Sequence, residues 1–343
     1  MEEKPLLSVL NGNRPPRLPM WMMRQAGRHL KEYLELRAQA KDFLDFCYTP
    51  SLACEATLQP IRRYGMDGAI LFADILLILD AMGRGVRFEK GIGPLIDPID
   101  EAGDLGRTPP EAVVSRLNPV FETVERVKAE LPNATTLIGF AGAPWTVTLY
   151  AIEGRGKTDQ ATAKLWAHRQ PEALQAAFDH IIEATALYLK GQSDAGADAL
   201  MLFDSWAEGL PNDVFEEIIL KPTQRLVARV RDLGVTCPII GFPRGASAML
   251  PLYAREVGVQ CVGLDTAAVP QFINAALPAG FPVQGHLDPL LLLAGGSRLD
   301  DRVRDLIDAY RGRPHIFNLG HGVLPETPVA HVERVVELVR EAT

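Results

Sequence analysis

Two arginines stand four residues apart near the start of the chain, in the run Met23-Arg24-Gln25-Ala26-Gly27-Arg28. If this run is helical, both guanidinium groups lie on one face, where like charges cost ~0.2 to 0.5 kcal/mol unless an anion lies between them. Glu32, one turn further along, could supply that anion in an ordinary surface ion pair. A ligand carboxylate could do so instead, because the planar guanidinium group forms paired hydrogen bonds with it. The spacing alone leaves both interpretations open.

Four further polar side chains follow short apolar runs and could take part in chemistry. Asp74 is an acid, although it could instead cap a helix over residues 75–79. Ser205 could likewise be a helix cap, and Tyr150 a half-buried core aromatic. His321 lies between two glycines, which packing explains less well, because glycine lets the backbone approach another group closely. Together they would place an acid, two hydroxyl groups and an imidazole beside the arginines.

Composition and motifs argue against several other kinds of chemistry. No group of His, Cys or carboxylate positions shows metal-ligand spacing, and neither a G-x-S-x-G nor a phosphate loop occurs, so neither a metal nor a cofactor is predicted. A formal net charge of −8 argues against nucleic acid. No basic-then-apolar start and no run of ~18 apolar residues occurs, so we expect a cytosolic protein without a membrane partner. The cysteines are far apart and are interpreted as reduced core thiols: Cys47, Cys54, Cys237 and Cys261.

A short apolar run followed by a helical pattern recurs along the chain, as a (β/α)8 barrel requires. Helical stretches such as 171–193 and 213–233 carry apolar residues three and four positions apart. The glycine-rich segment 83–97 predicts a hairpin excursion after the second strand. Since no linker divides the chain, we predict an α/β fold, a single (β/α)8 TIM barrel catalytic domain over 1–343. Its predicted strands are 18–22, 68–72, 136–141, 198–203, 238–242, 259–264, 282–285 and 315–319.

The candidate residues share one position relative to these strands. In such barrels the chemistry lies on the loops that follow the carboxyl ends of the strands. The arginines, Asp74, Ser205 and His321 each come just after a predicted strand, and Tyr150 follows the third strand by a few residues more. We therefore expect all of them at one rim of the barrel, where Arg244, Asp265 and His286 also belong.

Two longer runs resemble signatures of a known family. The run from Pro19 to Arg28 is similar, almost residue for residue, to the first signature of the uroporphyrinogen decarboxylases. The run 139–146 resembles the second signature, and Tyr150 occupies its substrate-contacting tyrosine position. Blocks at 72–76, 203–206, 284–289 and 317–323 also match, so the resemblance spans nearly the whole chain. The family commonly has asparagine where this chain has His286, and a lone histidine there is more often structural than catalytic.

The resemblance implies a decarboxylase that needs no cofactor. It would remove the four acetate carboxyl groups of uroporphyrinogen to give coproporphyrinogen and CO2, and it would work as a homodimer with facing pockets. Asp74 would face the pyrrole N–H groups, while the arginines would hold the substrate's carboxylates. The residues implied in substrate binding are Arg24, Gln25, Ala26, Gly27, Arg28, Asp74, Tyr150, Ser205 and His321, and those implied in catalysis are Asp74, Arg28 and Tyr150.

Three points remain open on the sequence. The proton donor could be Tyr150, His321, Arg28 or water. A zinc-dependent corrinoid methyltransferase of the same superfamily is a rival, but its zinc site needs a cysteine near the last strand, and residues 317–323 contain none. A non-catalytic tetrapyrrole-binding protein is a second rival, which the presence of Asp74 beside Tyr150 and His321 disfavours.

Overall fold

The computed structural model describes residues 4–89, 91–156 and 158–342. The strands within these residues are β1 (Gly68–Ile70), β2 (Arg87–Glu89), β3 (Gly93–Leu95), β4 (Thr136–Gly142), β5 (Ala199–Asp204), β6 (Ile239–Pro243), β7 (Cys261–Gly263), β8 (Val283–Gln284) and β9 (His315–Ile316). Seven strands form one parallel sheet in the order β1-β4-β5-β6-β7-β8-β9. The α/β fold with its curled parallel sheet is therefore confirmed.

The first predicted strand closes this sheet. Met20 forms a parallel bridge with Phe317, and the Phe317 amide donates to the Pro19 carbonyl at 2.9 Å. On the other side, the Asp67 amide donates to the Met20 carbonyl at 2.9 Å. The segment thus lies between β9 and β1 and joins the two edges of the sheet. Its ladder is short because Pro19 has no N–H to donate.

The helices fill the connections between strands. They are α1 (Pro5–Leu10), α2 (Lys31–Arg37), α3 (Phe43–Tyr48), α4 (Pro50–Tyr64), α5 (Leu77–Ala81), α6 (Pro110–Arg116), α7 (Asn118–Glu130), α8 (Pro144–Glu153), α9 (Ala161–Arg169), α10 (Pro171–Asp194), α11 (Asn212–Phe215), α12 (Lys221–Asp232), α13 (Leu250–Glu256), α14 (Pro270–Ala276), α15 (Pro289–Ala294), α16 (Ser297–Tyr310) and α17 (Val329–Glu341). Short 3-10 turns cover Ala102–Arg107 and Ser247–Met249, and a π-helical turn covers Glu216–Leu220. The helix predicted over 171–193 is confirmed, whereas the one over 213–233 is interrupted by the π-helical turn.

The predicted hairpin is present and packs beside α8. Strands β2 and β3 pair antiparallel. Just after β3, the Ile96 amide donates to the Gly154 carbonyl at 2.8 Å, and the Ile99 amide donates to the Ala151 carbonyl at 2.9 Å. Gly154 ends α8 with φ of 72°, a conformation that glycine adopts without strain. The excursion is thus fixed to the end of the helix that carries Tyr150.

The strands are buried between the helices, and a buried acid with charged partners lies at the amino-terminal end of the barrel. Every residue of β4 is buried, as expected for a parallel strand that is covered on both faces. At the amino-terminal end, buried Asp67 binds Arg17 and lies 2.8 Å from Arg340, and it also accepts from the Met20 amide. No helix among the described residues is long and apolar enough to cross a membrane.

A second acid, which is half-buried, lies at the same amino-terminal end, just before β5. Asp198 pairs with Lys4 at 2.6 Å and with Lys128 at 2.5 Å. Burial alone raises the pKa of Asp198, but hydrogen bonds from Lys128, Lys4 and the Leu137 amide bring it below its ordinary value. Its charge is therefore well compensated.

Candidate active site

The arginine loop, residues 23–28, is a series of turns and bends, so the two arginines do not share a helical face as the spacing suggested. Arg24 has φ of 59°, in the left-handed region that side chains other than glycine rarely adopt. Gln25 is buried, accepts a hydrogen bond from the Met22 amide at 3.0 Å and donates to the Gly68 carbonyl at 3.0 Å. These bonds hold the strained loop against β1.

The rest of the arginine loop is held on its other side. The Met23 amide donates to Oδ1 of Asn318, just after β9, at 3.0 Å. Gly27 is needed for the turn, because a Cβ there would lie 2.9 Å from the Arg24 carbonyl oxygen. The residues between the arginines therefore shape the loop, and their direct contact with a ligand stays a prediction.

Glu32 does not form an ion pair with Arg24 or Arg28. Its carboxylate accepts from Nε of Arg63, near the end of α4, at 2.6 Å. The surface-pair interpretation of the two arginines is therefore wrong. Neither Arg24 nor Arg28 forms an ion pair with any of the residues that the structure describes, and both side chains are exposed. Two cations at the rim are thus free to bind an anion.

Arg24 is the arginine that lies among the other candidates. Its aliphatic stem lies so close to Gly322 that a Cβ there would overlap it. Its positive charge acts on the pKa of Asp74, Tyr150 and His321, so it lies near all three, since charge interactions weaken with distance. The charge of Arg28 is not among the causes that shift any of these three pKa values.

Asp74 follows β1 and uses only one of its two carboxylate oxygens within the protein. Oδ1 accepts from the Leu76 amide at 2.9 Å, within the turn that leads into α5. The N-cap of α5 is Leu76, and no side chain caps this helix, so the interpretation of Asp74 as a helix cap is wrong. Oδ2 has no hydrogen-bond partner among the described residues. Burial raises the pKa of Asp74 to about 6, while the Leu76 hydrogen bond and the Arg24 charge oppose the rise. The carboxylate therefore keeps one acceptor for a ligand and is mostly ionised at neutral pH.

Tyr150 projects from α8 into the same region. Its ring is 9% exposed and packs edge-on against Trp206, with ring centroids 6.3 Å apart. Burial raises its pKa, and the Asp74 charge adds to the rise while Arg24 opposes it. Gly156 lies beside the hydroxyl group, since a Cβ there would lie 2.6 Å from Oη. The hydroxyl group is therefore protonated and can donate a hydrogen bond.

The loop after β5 carries Ser205 and is fixed by Arg244. One guanidinium nitrogen donates to the Ser205 carbonyl at 2.8 Å, and another pairs with Glu208 at 3.1 Å. The same guanidinium group lies over the Trp206 ring, 6.0 Å from its centroid. The next helix, α11, starts only at Asn212, so Ser205 does not cap a helix. Its hydroxyl group has no partner among the described residues.

His321 follows β9 and is half buried beside the arginine loop. Burial lowers its pKa to about 4, and the charges of Arg24 and Arg244 lower it further. The ring is therefore neutral at neutral pH, so it can exchange hydrogen bonds but carries no charge.

His286 has a different environment from His321. It is 2% exposed, and its Nε2 lies 2.9 Å from the hydroxyl group of Tyr310 on α16. Burial lowers its pKa to about 4. This arrangement favours the structural interpretation of His286, although its Nδ1 has no partner in the described part of the chain.

Sequence reasoning did not single out Trp206, which links two sides of the rim. Its ring contacts both Tyr150 and Arg244, and its carbonyl accepts from Nε1 of Trp145 at 3.1 Å. The available signal was its place directly after Ser205, at the carboxyl end of a strand. An aromatic residue at such a position is a candidate for contact with a ligand.

The opposite end of the barrel has an open depression of about 480 Å³, lined in part by Arg231 and Gln260. Its polar groups already bind one another: Arg231 donates to Gln260 at 2.7 Å and to the carbonyls of Val235 and Cys237 at 2.9 and 2.7 Å. It therefore offers little to a charged ligand. Across 4–89, 91–156 and 158–342, no three His, Cys, Asp or Glu side chains are grouped so that they could hold a metal ion.

Comparison with known structures supports the barrel. A methyltransferase from Methanosarcina mazei matches with a TM-score of 0.82 at 17% identity, over 98% of this chain and 97% of that one. A B12-independent methionine synthase from a Shewanella species matches with a TM-score of 0.53 at 9% identity, over 85% and 86% of the two chains. At such low identities the likeness shows the fold alone.

Comparison with known sequences is much closer. A relative from Hyphomonas neptunium named uroporphyrinogen decarboxylase is 70% identical, over 99% of this chain and 98% of its own. A relative of the same name from Maricaulis maris is 52% identical, over 99% of both chains. The family model described as Uroporphyrinogen decarboxylase (URO-D) matches residues 1–342. The chain therefore belongs to the uroporphyrinogen decarboxylase family.

Proposed function

We propose that this chain removes the acetate carboxyl groups of uroporphyrinogen, giving coproporphyrinogen and CO2. The observation that carries the proposal is the free carboxylate oxygen of Asp74, at a rim where Arg24 and Arg28 have no acidic partner in the described protein. A ligand with pyrrole N–H groups at its centre and carboxylates at its edge matches this arrangement of one anion and two outer cations.

The substrate can act as its own electron sink. Protonation of the pyrrole carbon next to the nitrogen gives an iminium-like cation. The bond between the methylene carbon and the carboxyl group then breaks, and its electron pair neutralises that cation. CO2 departs, and an exocyclic methylene group remains on the ring. A second proton converts the methylene to a methyl group while the ring carbon loses its proton, so one proton is consumed for each CO2 released.

Asp74 would lower the barrier of this sequence by its charge. Positive charge develops on the pyrrole ring, and a fixed carboxylate beside the pyrrole nitrogens stabilises it in a setting where water competes little. Its pKa of about 6 keeps most of the carboxylate ionised at neutral pH. Burial already disfavours this anion, so an approaching cation gains more from it than from an exposed acid.

The arginines would bind the carboxylates of the substrate and orient it in the pocket. Arg24 and Arg28 present planar groups that bind carboxylates in pairs, each bond contributing about 1.5 to 3 kcal/mol. The nearness of Arg24 to Asp74, Tyr150 and His321 favours it over Arg28 as the arginine beside the reacting ring. Arg28 would then hold a carboxylate further out, and its part in catalysis stays a prediction.

The remaining side chains would complete the pocket. Tyr150 and Ser205 offer hydroxyl groups to the substrate, while Gln25, Ala26 and Gly27 would act by keeping the arginine loop in shape. Tyr150 stays protonated, and His321 is neutral, so both can donate a hydrogen bond at neutral pH.

An anaerobic incubation of the purified chain with uroporphyrinogen tests the proposal, because the reduced tetrapyrrole oxidises in air. Products with seven, six, five and finally four carboxyl groups, separated by chromatography, are expected. Binding of the tetrapyrrole without loss of any carboxyl group would contradict the proposal and indicate a carrier. Stoichiometric zinc in the active protein would point to the methyltransferase chemistry instead.

We propose further that residues 1–343 act as one barrel domain, in the cytoplasm and as a homodimer. The exposed apolar side chains of Val269 and Phe272, one turn apart at the start of α14, support a paired assembly because they would otherwise face water. Light scattering after gel filtration tests this part, and a monomer at micromolar concentration would exclude the dimer.

A further inference from the structure

Helix α8, which carries Tyr150, has no cap of its own. It begins at Pro144 after Ala143, whose side chain cannot accept a hydrogen bond. The acceptor comes instead from the end of β5, where Oδ1 of Asp204 accepts from Oγ1 of Thr146 at 2.6 Å. A carboxyl group from a distant strand therefore holds the first turn of α8, through the hydroxyl group of Thr146.

The residue bound by Asp204 lies on the same face of the helix as Tyr150. Thr146 and Tyr150 are four positions apart in α8, so their side chains stand one above the other. The same strand end makes two more contacts with this helix, because the Trp206 carbonyl accepts from Trp145 at 3.1 Å and the Trp206 ring packs against Tyr150. The end of β5 thus fixes α8 both at its start and at the turn that bears the tyrosine.

Stability alone does not account for an acid at this position. Asp204 is completely buried, and its Oδ2 has no hydrogen-bond partner in the described residues. Burying a carboxyl group that is only partly satisfied costs free energy, which an ordinary cap on the helix itself would avoid. The arrangement instead gives a defined link between β5, whose end leads directly into Ser205, and α8.

We propose that Asp204, acting through Thr146, is a positioning residue that sets where Tyr150 stands at the rim. The inference rests on the proposed function for what Tyr150 does to the substrate. The position of Tyr150 itself can be measured without substrate.

Kinetics in two backgrounds test the link. Thr146→Val removes the hydroxyl donor with little change of shape, and we expect kcat to fall about tenfold, as the loss of a bond of ~1.4 kcal/mol would give. Thr146→Ser keeps the hydroxyl group and should restore most of kcat. In a Tyr150→Phe background, Thr146→Val should cost much less, because there is no phenol group left to position. An equal loss in both backgrounds, or no loss in either, would overturn the proposal.

Thr148→Val is the matched control. Thr148 lies on the same helix, is completely buried, and its hydroxyl group has no partner among the described residues. The change should therefore leave kcat as it is. Thermal unfolding of each variant by circular dichroism shows whether a loss of kcat reflects unfolding.

A spectroscopic measurement keeps the inference independent of turnover. The chain has seven tyrosines, so 3-fluorotyrosine labelling gives few fluorine resonances, and the Tyr150 resonance is the one absent from Tyr150→Phe. Thr146→Val and Asp204→Asn should shift or broaden this resonance, while Thr148→Val should not. An unmoved Tyr150 resonance in both variants would overturn the inference, even if the wild-type chain decarboxylates its substrate. A shift in a chain that lacks activity would support the positioning and count only against the proposed function.

Discussion

The two ends of the barrel differ in whether their acidic side chains have oppositely charged partners. At the amino-terminal end, Asp67 is bound by Arg17 and Arg340, and Asp198 by Lys4 and Lys128. At the carboxyl end Arg244 pairs with Glu208, but the acids and arginines proposed to meet the substrate have no such partners. Among the described residues there, Asp74 and Asp204 accept hydrogen bonds only from neutral groups, and the exposed guanidinium groups of the arginine loop pair with no acid.

This difference shows which end is built for stability and which for binding. Paired charges join segments that are distant in the chain, and they leave nothing for a ligand. Unpaired charges cost stability, since burial penalises an ion that has no partner, and they are kept where a ligand supplies the partner. Strand β1 connects the two environments, because Asp67 directly precedes it and Asp74 follows it.

Replacing Asp74 by asparagine should have the largest effect. We expect kcat to fall by about 100- to 1000-fold, which corresponds to ~2.7 to 4 kcal/mol for a lost electrostatic contact in the transition state. Steady-state decarboxylation assays under anaerobic conditions measure it. Turnover that is undiminished would refute the electrostatic role.

The same variant should not lose stability at pH 8. The pKa of Asp74 is about 6 in the folded protein and ordinarily near 3.8, so its ionised form is disfavoured by folding. That cost is absent below about pH 4 and fully present above about pH 6, so removing the charge should leave the free energy of unfolding equal or higher at pH 8. A large fall would show that Asp74 is structural.

Replacing Asp67 by asparagine makes the same chemical change at the other end of β1. Two arginines then lose their acid, and we expect the free energy of unfolding to fall by about 3 kcal/mol, the lower end for a broken buried pair, because both arginines are partly exposed. Urea denaturation measures this. At urea concentrations below the unfolding transition, kcat should equal that of the wild type. A loss of kcat without a loss of stability would contradict the assignment of this end of the barrel to stability.

Arg28→Ala should weaken substrate binding by about 10- to 100-fold, as loss of a charge-assisted bond of ~1.5 to 3 kcal/mol predicts. The change in kcat should be smaller, because the charge of Arg24, and not that of Arg28, acts on the pKa of Asp74 and Tyr150. Titration with the substrate measures the affinity. Arg225→Ala, which removes a surface arginine paired with Asp179 on the outer helices, is the control and should bind normally. Equal affinities in the two variants would count against the carboxylate clamp.

The smallest expected effect that is still diagnostic is a shift in the pH dependence of Arg24→Gln, which accompanies the loss of substrate affinity expected of this variant. The Arg24 charge lowers the pKa of Asp74, so its removal should move the acidic limb of kcat/KM upward from near pH 6 by about one unit. Profiles of kcat/KM against pH measure the shift. Arg28→Gln is the control and should leave the acidic limb of kcat/KM where it is. A downward shift of this limb in Arg24→Gln would contradict the proposed nearness of Arg24 to Asp74.

The barrel could be predicted from the sequence because its signal is local. Apolar runs and helical periodicity fix the order of strands and helices, and parallel strands bring all their carboxyl ends to one edge. Asp74, Ser205 and His321 were placed at the same rim for this reason. The predicted hairpin, over the segment from Gly83 to Asp97, was also found because glycines and β-forming residues mark it directly.

The site's chemistry could be predicted only in part. Residue types and the family resemblance named the arginines and the acid, yet the helical premise for the arginine loop is wrong. Arg24 has a left-handed backbone conformation, and Gln25 binds the start of β1. The partner of Glu32 was also missed, because Arg63 reaches it from another helix.

By itself the sequence determined which residues would reach the rim, since strand order and polar positions are properties of neighbouring residues in the chain. Only the tertiary structure decided which charges are compensated there. Whether Asp74 keeps a free oxygen, and whether Asp204 binds the first turn of a helix that begins 60 residues earlier, depends on contacts between segments far apart in sequence. The closing of the barrel creates these contacts, and no local pattern encodes them.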